Sequence, residues 1–423
     1  MRMRVNFSLV NIVPRGRWLE QTLKIDPMLK HIISLSILAA CGHQIAVAQG
    51  VDVIGTLVTT RDIPVLFDGK NLDGWIKRGG KGSYEVVDGV IVGRCNVKGG
   101  GNTFLCTGKD YGDFILELEV KSDKGLNSGV QIRSHCIEKE TTYDFGDRQI
   151  KISANRVHGY QVEVDNNANR RWSGGIYDEA RRGWLFPLPT NAPASKSYRL
   201  GEWNRYRIEC RGASIKTWVN DIPAADLIDA ETMKGFIGLQ VHSADDPDYQ
   251  VRFRDIRLKA LGEHDWQTAW DCRSFEGMEK RGGAEWKLSD GILTATRSGS
   301  GSGDGILFGH TPMSDITIRF SFKADKGGFV FGLLDSPDNH SKPTVAIPFR
   351  ADVGSTNFAK ADGWNRVSVT LKDKRLVVAL NGRQIRDETV SAMPATVLPA
   401  LILASGQESE VRFKAFEILA AKQ

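Results

Sequence analysis

The chain states one pattern of residues twice, and the two statements differ where chemistry would sit. The first reads LFDGKNLDGW from Leu66, YEVVDGVIVG from Tyr84, DFILELEVKSDKG from Asp113, EWNRYRIECRGASIKTWVND from Glu202 and VRFRDIRLKAL from Val251. The second answers in the same order with AWDCRSFEGM from Ala269, EWKLSDGILTAT from Glu285, DITIRFSFKADKG from Asp315, GWNRVSVTLKDKRLVVALNG from Gly363 and VRFKAFEILA from Val411. Between the KSDKG/KADKG and WNR landmarks the first copy runs from Gly125 to Trp203 and the second only from Gly327 to Trp364. That is an excess of about forty residues in the first copy, and insertions in one repeat map to loops on one face.

Nearly every readable segment has period two. Phe114, Leu116, Leu118 and Val120 alternate with Ile115, Glu117 and Glu119, the mark of half-buried strands. Turn signals at Asp88-Gly89, Asn220-Asp221 and Asp290-Gly291 punctuate them at short spacing. Helical periodicity is lacking beyond the leader, with a single short turn expected at Asp226 to Met233. The pattern predicts an all-β chain made of two tandem β-sandwiches or jelly rolls, at residues 61–262 and 266–423.

Residues 1–48 read as a leader. A basic start at Met28, Lys30 and His31 precedes the apolar run Ile32 to Ala40, too short to span a bilayer and right for a signal sequence. Two exits are open: cleavage after Ala46-Val47-Ala48, or a lipobox, Leu38-Ala39-Ala40-Cys41-Gly42, that makes Cys41 a lipidated N-terminus. Either predicts export, to the periplasm or to the cell envelope through that anchor. The formal charge of +5 is carried largely by the leader, so charge gives no case for nucleic acid. With 41% hydrophobic and 25% charged residues the remainder is an ordinary globular chain. Cys95, Cys106, Cys136, Cys210 and Cys272 lack metal-ligand spacing and read as buried small hydrophobes.

The polar faces of three first-copy strands carry the candidate site. Gln131 and Arg133 alternate with Val130 and Ile132; Gln161, Glu163 and Asp165 with Tyr160, Val162 and Val164; Gln240 and His242 with Leu239 and Val241. Aligned on Gly129 and Gly328, the second copy has Val330 and Gly332 for Gln131 and Arg133, and Ile402 and Ala404 for Gln240 and His242. The strand bearing Glu163 has no recognisable counterpart there. Loss of the whole set together favours a site in the first copy only.

Glu163 and Asp165, two apart on a strand, lie roughly 6 to 7 Å apart on one face and can divide acid and base roles. A solvated strand face is their plain reading. His242 is a proton carrier or a loop cap, with His158 as its substitute. Arg133 offers a planar fork to an oxyanion, or an ion pair to Glu119 or Glu163. In the extra segment, Trp172, Tyr177 and Trp184 offer flat faces to a sugar, or simply pack the loop down, and Gly174-Gly175 allow close backbone approach. Asp245, Asp246 and Asp248 offer oxygen ligands to a divalent metal but read as a solvated turn, so no cofactor or metal is expected.

LFDGKNLDGW, NSGVQIR, GYQVEVD, SGGIYD, WNRYRIEC and GFIGLQVHS, in this order over Pro64 to Leu261, resemble the 3-keto-disaccharide hydrolase domain of exported bacterial proteins, abundant in planctomycetes and Bacteroidetes. The resemblance implies a concanavalin-like jelly roll that cleaves glycosides already oxidised to a ketone at sugar carbon 3, with a degenerate second copy. It implies a base, an oxyanion stabiliser and an acid. Glu163 is the expected base, Arg133 and His242 stand near the enediolate oxygen, and Tyr177 or Asp165 assists departure. Gln131, Gln161, Gln240, Trp172 and Trp184 would hold the carbohydrate. Two rivals stand beside it: a lectin-like binding protein, and a retaining glycosidase, which the Asn at position 167 counts against because covalent catalysis wants a second carboxyl about 5 to 5.5 Å away.

Overall fold

The computed structural model describes residues 62–189, 192–300, 303–336, 343–350 and 363–422. The leader, its cleavage site and Cys41 lie outside the described residues. Two tandem jelly-roll β-sandwiches follow one another along the chain.

The first sandwich packs two seven-stranded antiparallel sheets. One has the order Trp75–Gly79, Thr103–Tyr111, Gly235–Val241, Ser128–Cys136, Val157–Val164, Ile176–Glu179 and Gly183–Phe186. The other runs Ile222–Ile228, Ser214–Val219, Asn204–Arg211, Asp113–Ser122, Gln250–Gly262, Val90–Arg94 and Ser83–Val87. Phe114, Leu116, Leu118 and Val120 meet Val130, Ile132, Tyr160, Val162 and Leu239 in the core between them, as the alternation requires. Cys95, Cys106, Cys210 and Cys272 are buried free thiols and Cys136 is half-buried.

Asp226 belongs to a strand, not to a helical turn. The one α-helix among the described residues is Pro193–Ser197, opened by proline at its first position, where the missing N–H costs nothing.

The second sandwich pairs a sheet of eight strands with one of five. Phenylalanines dominate its core: Phe320, Phe322, Phe329, Phe331, Phe349, Phe413 and Phe416 are buried together, with ring centroids of Phe329 and Phe413 4.7 Å apart, edge to face. The WNR and turn landmarks do the same work in both copies. Asn220 Nδ2 donates to Asn204 Oδ1 at 2.9 Å and Asn381 Nδ2 to Asn365 Oδ1 at 2.9 Å. Asn220 Oδ1 accepts from the Arg205 N–H and Asn381 Oδ1 from the Arg366 N–H, both asparagines sitting at positive φ in the turn. The tryptophan of each WNR landmark carries a cation on its face, Arg254 on Trp203 and Lys414 on Trp364, each at 4.1 Å from the ring centroid.

The strand bearing Glu163 does have a topological counterpart, contrary to the sequence expectation. Val345–Arg350 pairs with Gly328–Leu334 as Val157–Val164 pairs with Ser128–Cys136. Its exposed residues are Ala346, Pro348 and Arg350 where the first copy presents Gln161 and Glu163. Side-chain identity has drifted beyond alignment while the ladder has persisted.

The sandwiches touch through the inserted segment and through the stretch from Asp226 to Glu231. Arg182 Nη1 donates to Gly382 O at 3.4 Å and Arg148 Nη1 to Asn381 O at 3.4 Å. Phe145 packs so closely on Gly382 that a Cβ there would stand 2.6 Å from its ring. Arg375 pairs with Asp226 at 2.7 Å, Arg366 pairs with Glu231, and Trp266 Nε1 donates to Ala230 O at 3.2 Å.

Candidate functional site

The outer face of the sheet carrying Val157–Val164 forms the floor of a cavity of 710 Å³. Side chains two apart on a strand share a face, so Gln161 and Glu163 rise together, joined by Tyr177 and Glu179 from the neighbouring strand and Gln240 from the sheet centre. The loop Asp165 to Arg170 closes one side, Asn127 and Asn102 another, and Trp184, Arg156 and His242 complete the rim.

Glu163 is 3% exposed. Asn127 Nδ2 donates to Oε1 at 2.6 Å, Arg170 Nη2 to Oε1 at 2.8 Å and Gln161 Nε2 to Oε2 at 3.0 Å. Its own carbonyl is fixed by Gly174 N–H and the Tyr206 hydroxyl. Burial pushes the carboxyl up to about 7, against the Asn127 hydrogen bond and the Arg170 charge, with Asp165 adding to the rise. A carboxyl that titrates near neutrality results.

Behind it stands a chain of glutamines. Gln131 Nε2 and Gln240 Nε2 both donate to Gln161 Oε1, at 2.7 and 2.9 Å, which aims the Gln161 amide at Glu163. Gly129 leaves room for this, since a Cβ there would overlap the Gln161 amide. Gln240 Oε1 is buried in the cavity wall without a hydrogen-bond partner among the described residues, an acceptor whose desolvation no protein donor offsets.

Asp165 is buried and both its oxygens are engaged: Oδ2 accepts from Arg170 Nε at 2.9 Å and Trp172 N–H at 2.8 Å, Oδ1 from Asn167 N–H at 3.0 Å. It shapes the loop that places Arg170. Asn167 Oδ1 caps the same loop by accepting from the Asn169 and Arg170 N–H groups. Trp172 meets Trp184 edge to face at 4.6 Å, and the Arg170 guanidinium lies 5.4 Å from both rings. Trp184 lines the cavity, whereas Trp172 supports it from behind.

Tyr177 packs edge to face on Trp184 at 5.1 Å. Burial and the carboxylates of Glu179, Glu163 and Asp178 raise its phenol, so it remains a donor at neutral pH. Glu179, also raised by burial, accepts from Arg156 Nη2 at 2.7 Å and feels the charge of His242. His242 Nδ1 stands 2.6 Å from Ser243 O; a carbonyl only accepts, so Nδ1 carries the proton.

Arg133 and Gln131 do not line the cavity. A bulge between Ile132 and His135, with Arg133 at φ 45°, breaks the alternation and turns the guanidinium away from the Gln161 face. Its Nε and Nη1 donate to Gly112 O and Gly212 O, each at 2.8 Å, and Nη2 to Asp113 Oδ1 at 2.9 Å. The ion pair is thus with Asp113, not with Glu119 or Glu163. Gln131 lies beneath Gln161 as its support. His158 is buried against Tyr143, whose hydroxyl is 3.0 Å from Nε2, and likewise does not line the cavity.

Sequence reasoning missed Asn127, Arg156, Arg170 and Glu179. Glu179 had a signal, being two residues beyond Tyr177 on the same strand face. Asn127 and Arg170 sit in loops whose turns place them, and no spacing announces that. Among the described residues no group of three or more His, Cys, Asp or Glu side chains converges to hold a metal ion.

Residues 62–259 match the family model of the 3-keto-alpha-glucoside-1,2-lyase-like domain. No curated protein matches the chain. Among solved structures, two proteins of Parabacteroides distasonis ATCC 8503 assigned as glycosyl hydrolases are similar at 18% and 23% identity. They cover 46% and 47% of this chain and 92% and 98% of their own, with TM-scores of 0.32 and 0.30. The carbohydrate-binding module CBM66 of Bacillus subtilis is similar at 14% identity over 44% of this chain and 96% of its own, with a TM-score of 0.31.

Proposed function

Because residues 62–259 are a domain of the 3-keto-α-glucoside-1,2-lyase-like family, we propose that the first sandwich cleaves the glycosidic bond of 3-keto-glycosides by removing the proton on C2. The ketone at C3 acidifies that proton. Glu163 takes it, and the electron pair moves onto the C3 oxygen as an enediolate. The pair then returns to expel the C1 oxygen, leaving a 1,2-unsaturated 3-ketone. Water adding at C1 completes net hydrolysis.

The observation that carries this reading is Glu163 itself: a carboxyl on the cavity floor, oriented by three donors and pushed by burial to about 7, where a general base works best. When it gains the proton, Arg170 loses one of its two carboxylate partners. Its charge becomes available to the enediolate as that charge develops. Arg170 therefore takes the role that the sequence had given to Arg133. Tyr177 is the donor to the leaving oxygen, with Glu179 and His242 beside it as the second acid group. Gln240 Oε1 receives a sugar hydroxyl and Trp184 bears a ring face. Asp165, with both oxygens occupied, holds Arg170 in place.

A retaining glycosidase needs a second carboxyl free to act; Asn167 is spent on capping its loop, Asp165 has both oxygens engaged and Glu179 is paired with Arg156. Incubation with plain and 3-oxidised disaccharides tests the proposal. Cleavage of the oxidised sugar alone supports it, cleavage of the plain sugar favours the glycosidase, and binding without turnover favours a lectin. Export through the leader is part of the same proposal, and N-terminal sequencing of the secreted protein would find Gln49 or a lipidated Cys41.

A further inference from the structure

Trp184 walls two cavities. The second, of 510 Å³, is lined by residues of both sandwiches. The first sandwich contributes Arg148, Arg181, Arg182 and Asp229, and the second contributes Arg383 and Gln384 from the start of the strand Arg383–Thr389. Its lining holds four guanidiniums and one carboxylate, and with Asp147 and Asp178 pairing them from outside it the balance is four cations to three anions. Arg181 and Arg182 are tied to Asp178, at 2.7 and 2.6 Å, and Arg182 also to Asp229 at 2.8 Å. These two are buried and form the fixed back wall. Arg148 and Arg383 flank Asp147 from opposite sandwiches, at 2.9 and 3.9 Å, with side chains 28% and 44% exposed. They form the accessible rim.

An aromatic wall, a set of N–H forks and a cationic excess are what an acidic sugar ring requires: stacking for its apolar face, and guanidinium hydrogen bonds for hydroxyls and carboxylate. The volume is that of a ligand site. From this juxtaposition we propose that the cavity between the sandwiches is a second sugar subsite. It takes a uronic-acid ring joined to the ring held over Glu163, with Trp184 between them. The second sandwich, although it lacks the acid–base set, completes the substrate site by supplying Arg383 and Gln384. The proposal rests on the carbohydrate reading of the first cavity for the ring beside it, but not on turnover.

Calorimetric titration of the full chain separates the two. The probes are cellobiose and its two monocarboxylates, oxidised at C6 of one ring or the other. At low ionic strength one monocarboxylate is expected to bind roughly fivefold to tenfold more tightly than cellobiose, with the advantage falling as sodium chloride is added. Arg383→Gln is expected to abolish that advantage, and Gln384→Glu to reverse it. Both positions are exposed at the start of the edge strand Arg383–Thr389, and thermal unfolding confirms that each variant is folded. Equal affinity for all three sugars, or a preference unchanged in folded Arg383→Gln and Gln384→Glu, would overturn the subsite. Failure of the protein to cleave 3-oxidised cellobiose would overturn the catalytic proposal alone, because the affinity ratio is read without turnover.

Discussion

Arg170 Nη2 stands 2.8 Å from Glu163 Oε1, while Nε of the same guanidinium stands 2.9 Å from Asp165 Oδ2. One cation therefore spans the group that titrates near neutrality and the group that fixes its loop. The Arg170 charge is among the forces holding Glu163 down against burial.

Replacing Arg170 by Gln removes that restraint. The acid limb of the pH profile of kcat/KM, expected near 7 for the parent protein, should move upward, with activity at pH 7 falling about tenfold or more. A profile whose limb stays in place would show that the Arg170 charge does not govern the base.

Glu163→Gln should reduce cleavage of a 3-oxidised disaccharide by about 10² to 10⁴. Stability changes in the opposite sense. The folded carboxyl titrates near 7 and the unfolded one near its ordinary value of about 4.3. Between those values the folded state binds more protons, so stability falls as pH rises. The group's contribution is about 3 kcal/mol across that window. Urea unfolding of Glu163→Gln at pH 5 and pH 8 should lack this slope.

His158 produces the reverse dependence. Burial, reinforced by the charges of Arg181 and His135, lowers its imidazole to about 4. The unfolded chain then binds more protons between about 6.5 and 4, and stability is lost as pH falls through that range, by about 3 kcal/mol. Chemical denaturation of His158→Gln at pH 7 and pH 4.5 should show a smaller loss on acidification than the parent protein.

Two glycines discriminate between fold and chemistry. Gly129→Ala would displace the Gln161 amide, whereas Gly328→Ala would strike the backbone carbonyl of Phe349. Both should destabilise by about 1–3 kcal/mol. Only Gly129→Ala should also lower kcat in the folded fraction, measured on a 3-oxidised disaccharide below the unfolding transition.

Arg133→Met tests the correction made by the bulge. Removing a buried guanidinium leaves Asp113 without that partner, which costs about 3–5 kcal/mol. The folded fraction should keep its kcat/KM, a result at odds with a role beside the enediolate.

The sandwiches were legible because period-two alternation of Phe114, Leu116, Leu118 and Val120 is itself the physics of a half-buried strand. For the same reason Gln161, Glu163 and Gln240 were correctly placed on one cavity face. The reading failed at Arg133, where one residue at positive φ ended the alternation that the inference assumed. It failed again at Val345–Arg350, whose kinship with the Glu163 strand survives in hydrogen-bond pairing and not in side chains. Asn127 and Arg170 were invisible because loops bring them in from outside any periodic segment.

The contact between the sandwiches has a direction. The turn at Asn381-Gly382 in the second is a plug, and Phe145, Arg148 and Arg182 of the inserted segment in the first are its socket. The matching turn of the first copy, Asn220-Asp221, leaves Asp221 exposed. The segment that builds the socket is about forty residues shorter in the second copy. A heterologous contact of this kind would ordinarily propagate from unit to unit. Here the two sandwiches meet through unlike faces, the turn of one and the inserted segment of the other.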